Sequence, residues 1–281
     1  MKRYYSYAGI NICIHGDDEI MYTDDRMLAP FRVDYLDNCH HFYFDNVEEL
    51  DEPSGKLTYM SPSFCEYQDE HVIRYVGCVN DDYKNAYLRV EHVDKNHYVQ
   101  VKSKHRIGTH VVFKALESER LIANNNGLIL HSSYINYKNN GILFTAPSGT
   151  GKSTQADLWE KYRGAEILNG DRSAVRKIDN LFYTMGVPFS GSSNICKNVT
   201  LPLSCIVYLG QAKSTTIRKL EGYEAFRRLW EGIGVNLWDK ENTELVSDLV
   251  SDIVKNIPIY YLECTPDETA VLALERVLED D

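Results

Sequence analysis

A chain of 281 residues, 43% hydrophobic and 25% charged, can bury one large core or two smaller ones. A formal net charge of −11 with no strongly basic block argues against a nucleic-acid backbone as the main partner. No apolar run approaches the length of a bilayer span, and Met1-Lys2-Arg3-Tyr4-Tyr5-Ser6-Tyr7 lacks the apolar core of a signal peptide.

The 7 cysteines are odd in number, widely spaced and without a C-x-x-C pair. That usage fits buried thiols in a reducing cytoplasm. No tight ligand pair is available for zinc, so no zinc site is expected.

Residues 1–108 read as β-rich, with no long helical pattern. Tyr4–Ile14 is an apolar and aromatic run broken by Gly9, and His15-Gly16-Asp17-Asp18-Glu19 reads as a turn. His71–Cys78, Ala86–His92 and His97–Lys102 alternate at hairpin spacing, with turn residues between them. They predict an antiparallel meander with one face covered. Residues 34–56, rich in Asp and Glu, read as connecting segments. His40 and His41 are adjacent, so in a strand they point to opposite faces and do not share an ion. The tyrosines of this half suit a half-buried sheet or a peptide-binding surface equally well.

From Thr109 the spacing turns helical (Val111, Val112, Ala115, Leu116, Leu121, Ile122) and ends at Asn124-Asn125-Asn126-Gly127. The domain change is placed near residue 108, giving segments 1–108 and 109–281. Strands follow at Leu128–Ile135 and at Ile142–Phe144. The second breaks into Ala146-Pro147-Ser148-Gly149-Thr150-Gly151-Lys152-Ser153-Thr154, which opens a run of good helix formers. This strand–loop–helix context, with Ala146 at the first position of the G-x-x-x-x-G-K-[ST] pattern, is that of a phosphate-cradling P-loop. Loop amides and the positive end of the helix converge on an anion. Ser148, Gly149, Thr150, Gly151, Lys152, Ser153 and Thr154 are therefore the expected nucleotide contacts. Lys152 would reach the β/γ-phosphates and Ser153 would hold Mg²⁺.

Ala165–Asp171 is a short apolar strand that ends in a carboxylate, where a neighbour of the P-loop strand would supply a second Mg²⁺ contact. A hairpin follows over Ser173–Met185, then a loop of small residues over 186–193 and a buried strand over Leu203–Leu209. Helices are expected at Glu221–Ile233, Glu241–Ile257 and Pro266–Leu278, with a strand at Ile257–Leu262. The fold class expected is α/β (α+β overall), a β-rich first domain followed by a P-loop domain with a mixed sheet and flanking helices.

Leu130-His131, Ser148–Ser153 and Asn169-Gly170-Asp171-Arg172 together resemble the catalytic domain of HPr kinase/phosphorylase. They also resemble the wider group of HPr-kinase-like P-loop kinases, whose nucleotide-binding core is of the phosphoenolpyruvate carboxykinase type. The likeness covers roughly residues 109–281; residues 1–108 do not obviously share it. It implies ATP- and Mg²⁺-dependent phosphoryl transfer to a hydroxyl, a serine of a protein or precursor peptide, with the family's tendency to assemble into oligomers. Carried onto this chain, it makes His131, Lys152 and Asp171 the catalytic candidates and Ser153 and Asp171 the metal candidates. Arg172 and Lys197 stand open between a phosphate or substrate contact and a solvated charge.

One departure matters. The family carries two adjacent acids where this chain has Gly170-Asp171. Either Asp171 takes both duties, or His131 is the base, or the chain binds nucleotide without efficient transfer. A nucleotide-regulated binding protein is thus the second reading and a small-molecule kinase the third.

Overall fold

The computed structural model describes residues 2–17, 27–79, 82–103, 105, 107–235 and 237–280. It divides into two compact units, Met1–Leu121 and Ile122–Asp281, each built on mixed β-structure with helices. The fold is α+β.

The strands of the first unit are β1 (Lys2–Tyr7), β2 (Ile10–His15), β3 (Arg32–Val33), β4 (His40–Val47), β5 (Lys56–Met60), β6 (Phe64–Gln68), β7 (Val72–Val76), β8 (Leu88–Val93) and β9 (Asn96–Lys102). They form one sheet in the order β3-β1-β2-β4-β9-β8-β7-β6-β5. Ala8 and Gly9, both at positive φ, turn β1 into β2. The meander expected from the alternating segments is present from β5 to β9. The sheet is not wholly antiparallel, because β4 pairs in parallel with both β2 and β9.

That strand corrects the reading of residues 34–56 as connecting segments. Its alternation is plain once paired: Phe42 and Phe44 are buried while Tyr43 and Asp45 face outward. The turn expected after His15 runs into residues 18–26, outside the described residues, and residues 80 and 81 of the turn before Tyr83 lie outside them as well. Helix α1 (Thr109–Leu116) buries Val111, Val112, Ala115 and Leu116 and packs on β8, so the structure keeps it with the first unit, whereas the helical spacing alone had put the change near residue 108. After α1 comes α2 (Ser118–Ala123).

The second unit contains β10 (Gly127–Tyr137), β11 (Asn140–Thr145), α3 (Lys152–Arg163), β12 (Glu166–Asn169), β13 (Arg172–Ile178), β14 (Leu181–Gly186), β15 (Thr200–Gln211), β16 (Thr216–Leu220), α4 (Gly222–Trp230), α5 (Lys240–Asn256), β17 (Ile259–Cys264) and α6 (Glu268–Asp280). Two long strands are shared. The first half of β10 pairs with β13 and its second half with β11 and β12. The start of β15 pairs with β14, its middle with β11 and its end with β17. Since β11, β15 and β17 run parallel, their carboxyl ends lie together.

The strand at Ala165–Asp171 was expected beside the P-loop strand; β10 lies between them. Because β12 is antiparallel to β10, and β10 to β11, β12 still runs the same way as β11 and ends on the same side. Two apolar clusters fill this unit. One, around Leu130, Tyr134, Leu229 and Leu249, lies under α4 and α5. The other, around Phe144, Trp159, Val207 and Leu274, lies under α3 and α6. Among the described residues no helix is long and apolar enough to cross a membrane.

Candidate active site

Strand β11 ends at Thr145, and the chain turns through Ala146–Gly151 into α3. Gly149 (φ +78°) and Gly151 (φ +118°) take backbone that side chains resist, and nothing lies within 4 Å of where a Cβ would project at either. The loop is thus an open cradle. Gln155 N–H is the first to find an acceptor in the helix, on Gly151 O at 2.9 Å. The amides ahead of it belong to the positive end of α3. Ser153 and Thr154 are exposed there.

Lys152 is buried and its Nζ donates to Ala146 O at 3.0 Å and Pro147 O at 3.4 Å. Burial lowers its pKa while Asp171 opposes that shift. An ammonium held in this loop by two weak carbonyl partners is suited to exchange them for an anion's oxygens.

His131 lies in β10 where the strand passes from one partner set to the other. Its backbone is fixed on both sides: its N–H donates to Gly232 O at 2.8 Å and its carbonyl accepts from Thr145 Oγ1 at 3.0 Å. The next residue, Ser132, pairs with Thr145 at the start of the P-loop. His131 itself pairs with Arg172. The topology therefore brings His131, the phosphate loop and the end of β12 to one place.

There, His131 Nε2 stands 3.3 Å from Asp171 Oδ1. The hydrogen bond from His131, with the charges of His131, Arg172 and Lys152, holds the Asp171 carboxyl below its usual range against the effect of burial. Arg172 Nε is 3.5 Å from Asp171 Oδ2, and its guanidinium lies 5.5 Å from the Phe189 ring centroid.

The Asp171 loop is held by a residue that the sequence reading quoted without assigning. Asn169 is fully buried. Its Oδ1 accepts from Asp171 N–H at 2.9 Å and Arg172 N–H at 3.0 Å, and its Nδ2 donates to Val187 O and Phe189 O. An Asn two residues before an acid, across a glycine, is an Asx-turn signal in the sequence. Gly191 (φ +53°) is the second such residue. A Cβ there would sit 2.8 Å from Asp171 Cγ, so only glycine lets the 191–193 turn close over the carboxylate.

Lys197 is placed elsewhere. Its Nζ pairs with Glu166 Oε1 at 2.7 Å, at the start of β12, whereas Asp171 follows the end of that strand.

Beside the loop, on the β15 and β17 side, an open cleft of about 440 Å³ is lined by Gly149–Gly151, Thr154, Gln155, Leu209–Ala212, Cys264 and Pro266. Gln155 is buried; its Nε2 reaches Cys264 Sγ at 3.2 Å and its Oε1 has no hydrogen-bond partner. Gln211 Nε2 reaches the carbonyls of Gly149 and Thr150 at 3.5 and 3.4 Å.

No protein-family model matches the chain, and no curated protein matches it. Among solved structures it is similar to the HPr(Ser) kinase/phosphatase from Coxiella burnetii. That similarity has a TM-score of 0.31 at 12% sequence identity, over 54% of this chain and 88% of that one.

Proposed function

We propose that the second unit binds ATP with Mg²⁺ and transfers the γ-phosphoryl group to a hydroxyl, a serine of a protein or peptide. The observation that carries the reading is the His131–Asp171 pair beside an open phosphate cradle whose lysine is poised inside it. Phosphoryl transfer is mostly positioning and charge neutralisation, so these parts suffice.

The roles follow from chemistry. Lys152 neutralises phosphate charge. Ser153 and Asp171 supply hard oxygen donors of the kind Mg²⁺ prefers, and the ion when bound would neutralise phosphate oxygens. Ser148–Gly151 and Thr154 wrap the phosphates, and the cleft lined by Gln155, Gln211 and Cys264 takes the nucleoside. The acceptor oxygen forms its bond to the γ-phosphorus as the bond to the bridging oxygen breaks and ADP leaves. The acceptor's proton goes to His131.

His131 suits that task better than Asp171 does. The ionised carboxylate can only accept, so His131 Nε2 carries the hydrogen facing it, which leaves Nδ1 as a free base. A carboxylate held below its usual range is a weak base at neutral pH, whereas the ring nitrogen Nδ1 offers a lone pair to the acceptor's proton. Asp171 then orients the ring, and a second acid at position 170 is not required. Arg172, beside Asp171, carries a guanidinium whose charge and planar donors suit phosphoryl oxygens.

The test is incubation of the full chain with γ-labelled ATP, Mg²⁺ and an extract of proteins and peptides. Label on a polypeptide, lost in Lys152→Ala and slowed about 10²-fold or more in His131→Gln, supports the reading. Label on small molecules alone would overturn the protein acceptor. Stabilisation by ATP with no label on anything would favour a nucleotide-regulated binding protein instead.

A further inference from the structure

The first unit holds a cluster that the phosphoryl-transfer reading does not use. Cys13 and His15 are two apart on β2 and therefore share one face of the sheet. Parallel pairing sets His41 of β4 directly beside Cys13. Cys13 Sγ and one ring nitrogen of each histidine all lie within 4.8 Å of one another. His15 Nε2 and His41 Nδ1 are 3.0 Å apart.

We propose that Cys13, His15 and His41 form a binding site for a zinc-class transition-metal ion, with a fourth coordination position left for water or an exogenous ligand. One thiolate and two imidazoles are a borderline-soft donor set, suited to Zn²⁺ and its neighbours and unsuited to Mg²⁺ or Ca²⁺. Tetrahedral coordination at about 2.0–2.3 Å places donors roughly 3.3–3.6 Å apart, so the three need only small side-chain rotations to converge. The backbone is already in place, since the cluster is set by strand register rather than by loops.

The surroundings also fit. Cys13 is fully buried, while His15 and His41 are half-buried, so an ion has an entry path but little water around the sulfur. The Tyr43 ring stacks on His15 at 4.3 Å and fixes its plane.

Binding is balanced as follows. The His15–His41 hydrogen bond breaks. The two rings settle with their protons on His15 Nδ1 and His41 Nε2, and Cys13 loses its proton. One proton is released per ion.

His40 does not join the site. It points to the other face and meets His97 at 3.1 Å, so the adjacent pair splits between faces as its spacing required. The absence of a local ligand pair had argued against zinc. The ligands come instead from two strands that are 26 residues apart between His15 and His41 and become neighbours only through the sheet.

The experiment is titration of the chelator-treated full chain with Co²⁺ as a spectroscopic probe, then with Zn²⁺. One Co²⁺ per chain is expected, with intense thiolate-to-metal absorption, the visible bands of a four-coordinate ion, and displacement by Zn²⁺. Cys13→Ser should abolish the thiolate band, and His15→Gln and His41→Gln should each weaken binding at least 10-fold. Cys78→Ser, a control for the buried Cys65–Cys78 pair, should leave the band intact. Zn²⁺ should raise the melting temperature of the parent chain and not that of His15→Gln. His15→Gln, on a half-exposed side chain, keeps the test decisive if Cys13→Ser does not fold. No one-to-one binding, or a thiolate band that survives Cys13→Ser or is lost in Cys78→Ser, would overturn the proposal.

Discussion

The Ser193 side chain occupies the space that any side chain at position 170 would need. A Cβ on Gly170 would lie 2.3 Å from Ser193 Oγ and 2.5 Å from its Cβ. Ser193 is held there, since its hydroxyl donates to Ser190 O at 2.7 Å and accepts from Ile195 N–H at 3.2 Å. A second carboxylate beside Asp171 therefore has no room, because Ser193 of the turn over Asp171 stands where its side chain would be. Gly170→Asp should destabilise the chain by about 1–3 kcal/mol through overpacking and should not raise phosphoryl transfer. Gly170→Asp with Ser193→Gly should recover most of that loss. Denaturant melts of the two variants check this, and equal midpoints for both would show that Ser193 is not the obstacle.

Asn169 joins Asp171 to the 187–189 segment through four hydrogen bonds. Asn169→Asp keeps the acceptor but strips the donors from two carbonyls and buries a charge. Asn169→Ala removes all four bonds, and of the groups involved Val187 O keeps the Phe189 N–H at 2.8 Å. Each unsatisfied buried group costs about 1–3 kcal/mol, so both variants should lower stability. Asn169→Ala should also reduce turnover with ATP more than it alters the ATP dissociation constant, because the phosphate cradle does not touch Asn169. A change in nucleotide affinity with unchanged turnover would contradict that division.

The strand–loop–helix around residues 146–151 and the β10 and β12 segments were legible because each signal is local: a glycine pattern, an apolar run, a carboxylate after a strand. The β13–β14 hairpin was legible for the same reason, with Asp179 and Asn180 at positive φ in its turn. Strand β4 was missed because its alternating phenylalanines sit among acids and histidines and its partners, β2 and β9, are distant and parallel. Asn169 and Gly191 were missed because their roles exist only once the 187–193 loop lies against the end of β12. The same limit hid the Cys13–His15–His41 cluster. Pairing over long sequence separation is not written in composition or period.

The cleft proposed for the nucleoside gives a prediction that does not depend on catalysis. Cys264 lines it and is the half-buried member among the free cysteines, the others being buried. Burial raises its thiol pKa, so alkylation should be slow at neutral pH and faster as pH rises. ATP or ADP at saturating concentration should slow Cys264 alkylation further, by tenfold or more at 100 times the dissociation constant. Mass spectrometry of the modified chain reads this directly. Alkylation of Cys264 at the same rate with and without nucleotide would place the nucleoside outside this cleft.

The first unit should lose stability in acid through one buried imidazole. His97 is buried against the Phe42 ring at 4.2 Å. His92 Nε2 meets the Glu117 carboxylate at 3.0 Å, which stays ionised because Arg74, His92 and Arg120 outweigh its burial. With that acceptor fixed, neutral tautomers run in one direction. His92 Nε2 donates to Glu117, His97 Nδ1 to His92 Nδ1 at 2.8 Å, and His40 Nδ1 to His97 Nε2 at 3.1 Å. Burial, then His92 and His40, push the His97 pKa from the ordinary 6.5 down to about 3. The folded pKa is thus below the unfolded one. Below pH 6.5 the unfolded chain takes a proton that the folded chain refuses, so stability is full above about 6.5 and falls as pH drops toward 3, by up to roughly 4 kcal/mol. His97→Gln removes the titration. It should be less stable than the parent at pH 7, with a shallower loss of denaturant midpoint between pH 6.5 and 4. Parallel pH profiles for the two chains would show that His97 is not the group responsible.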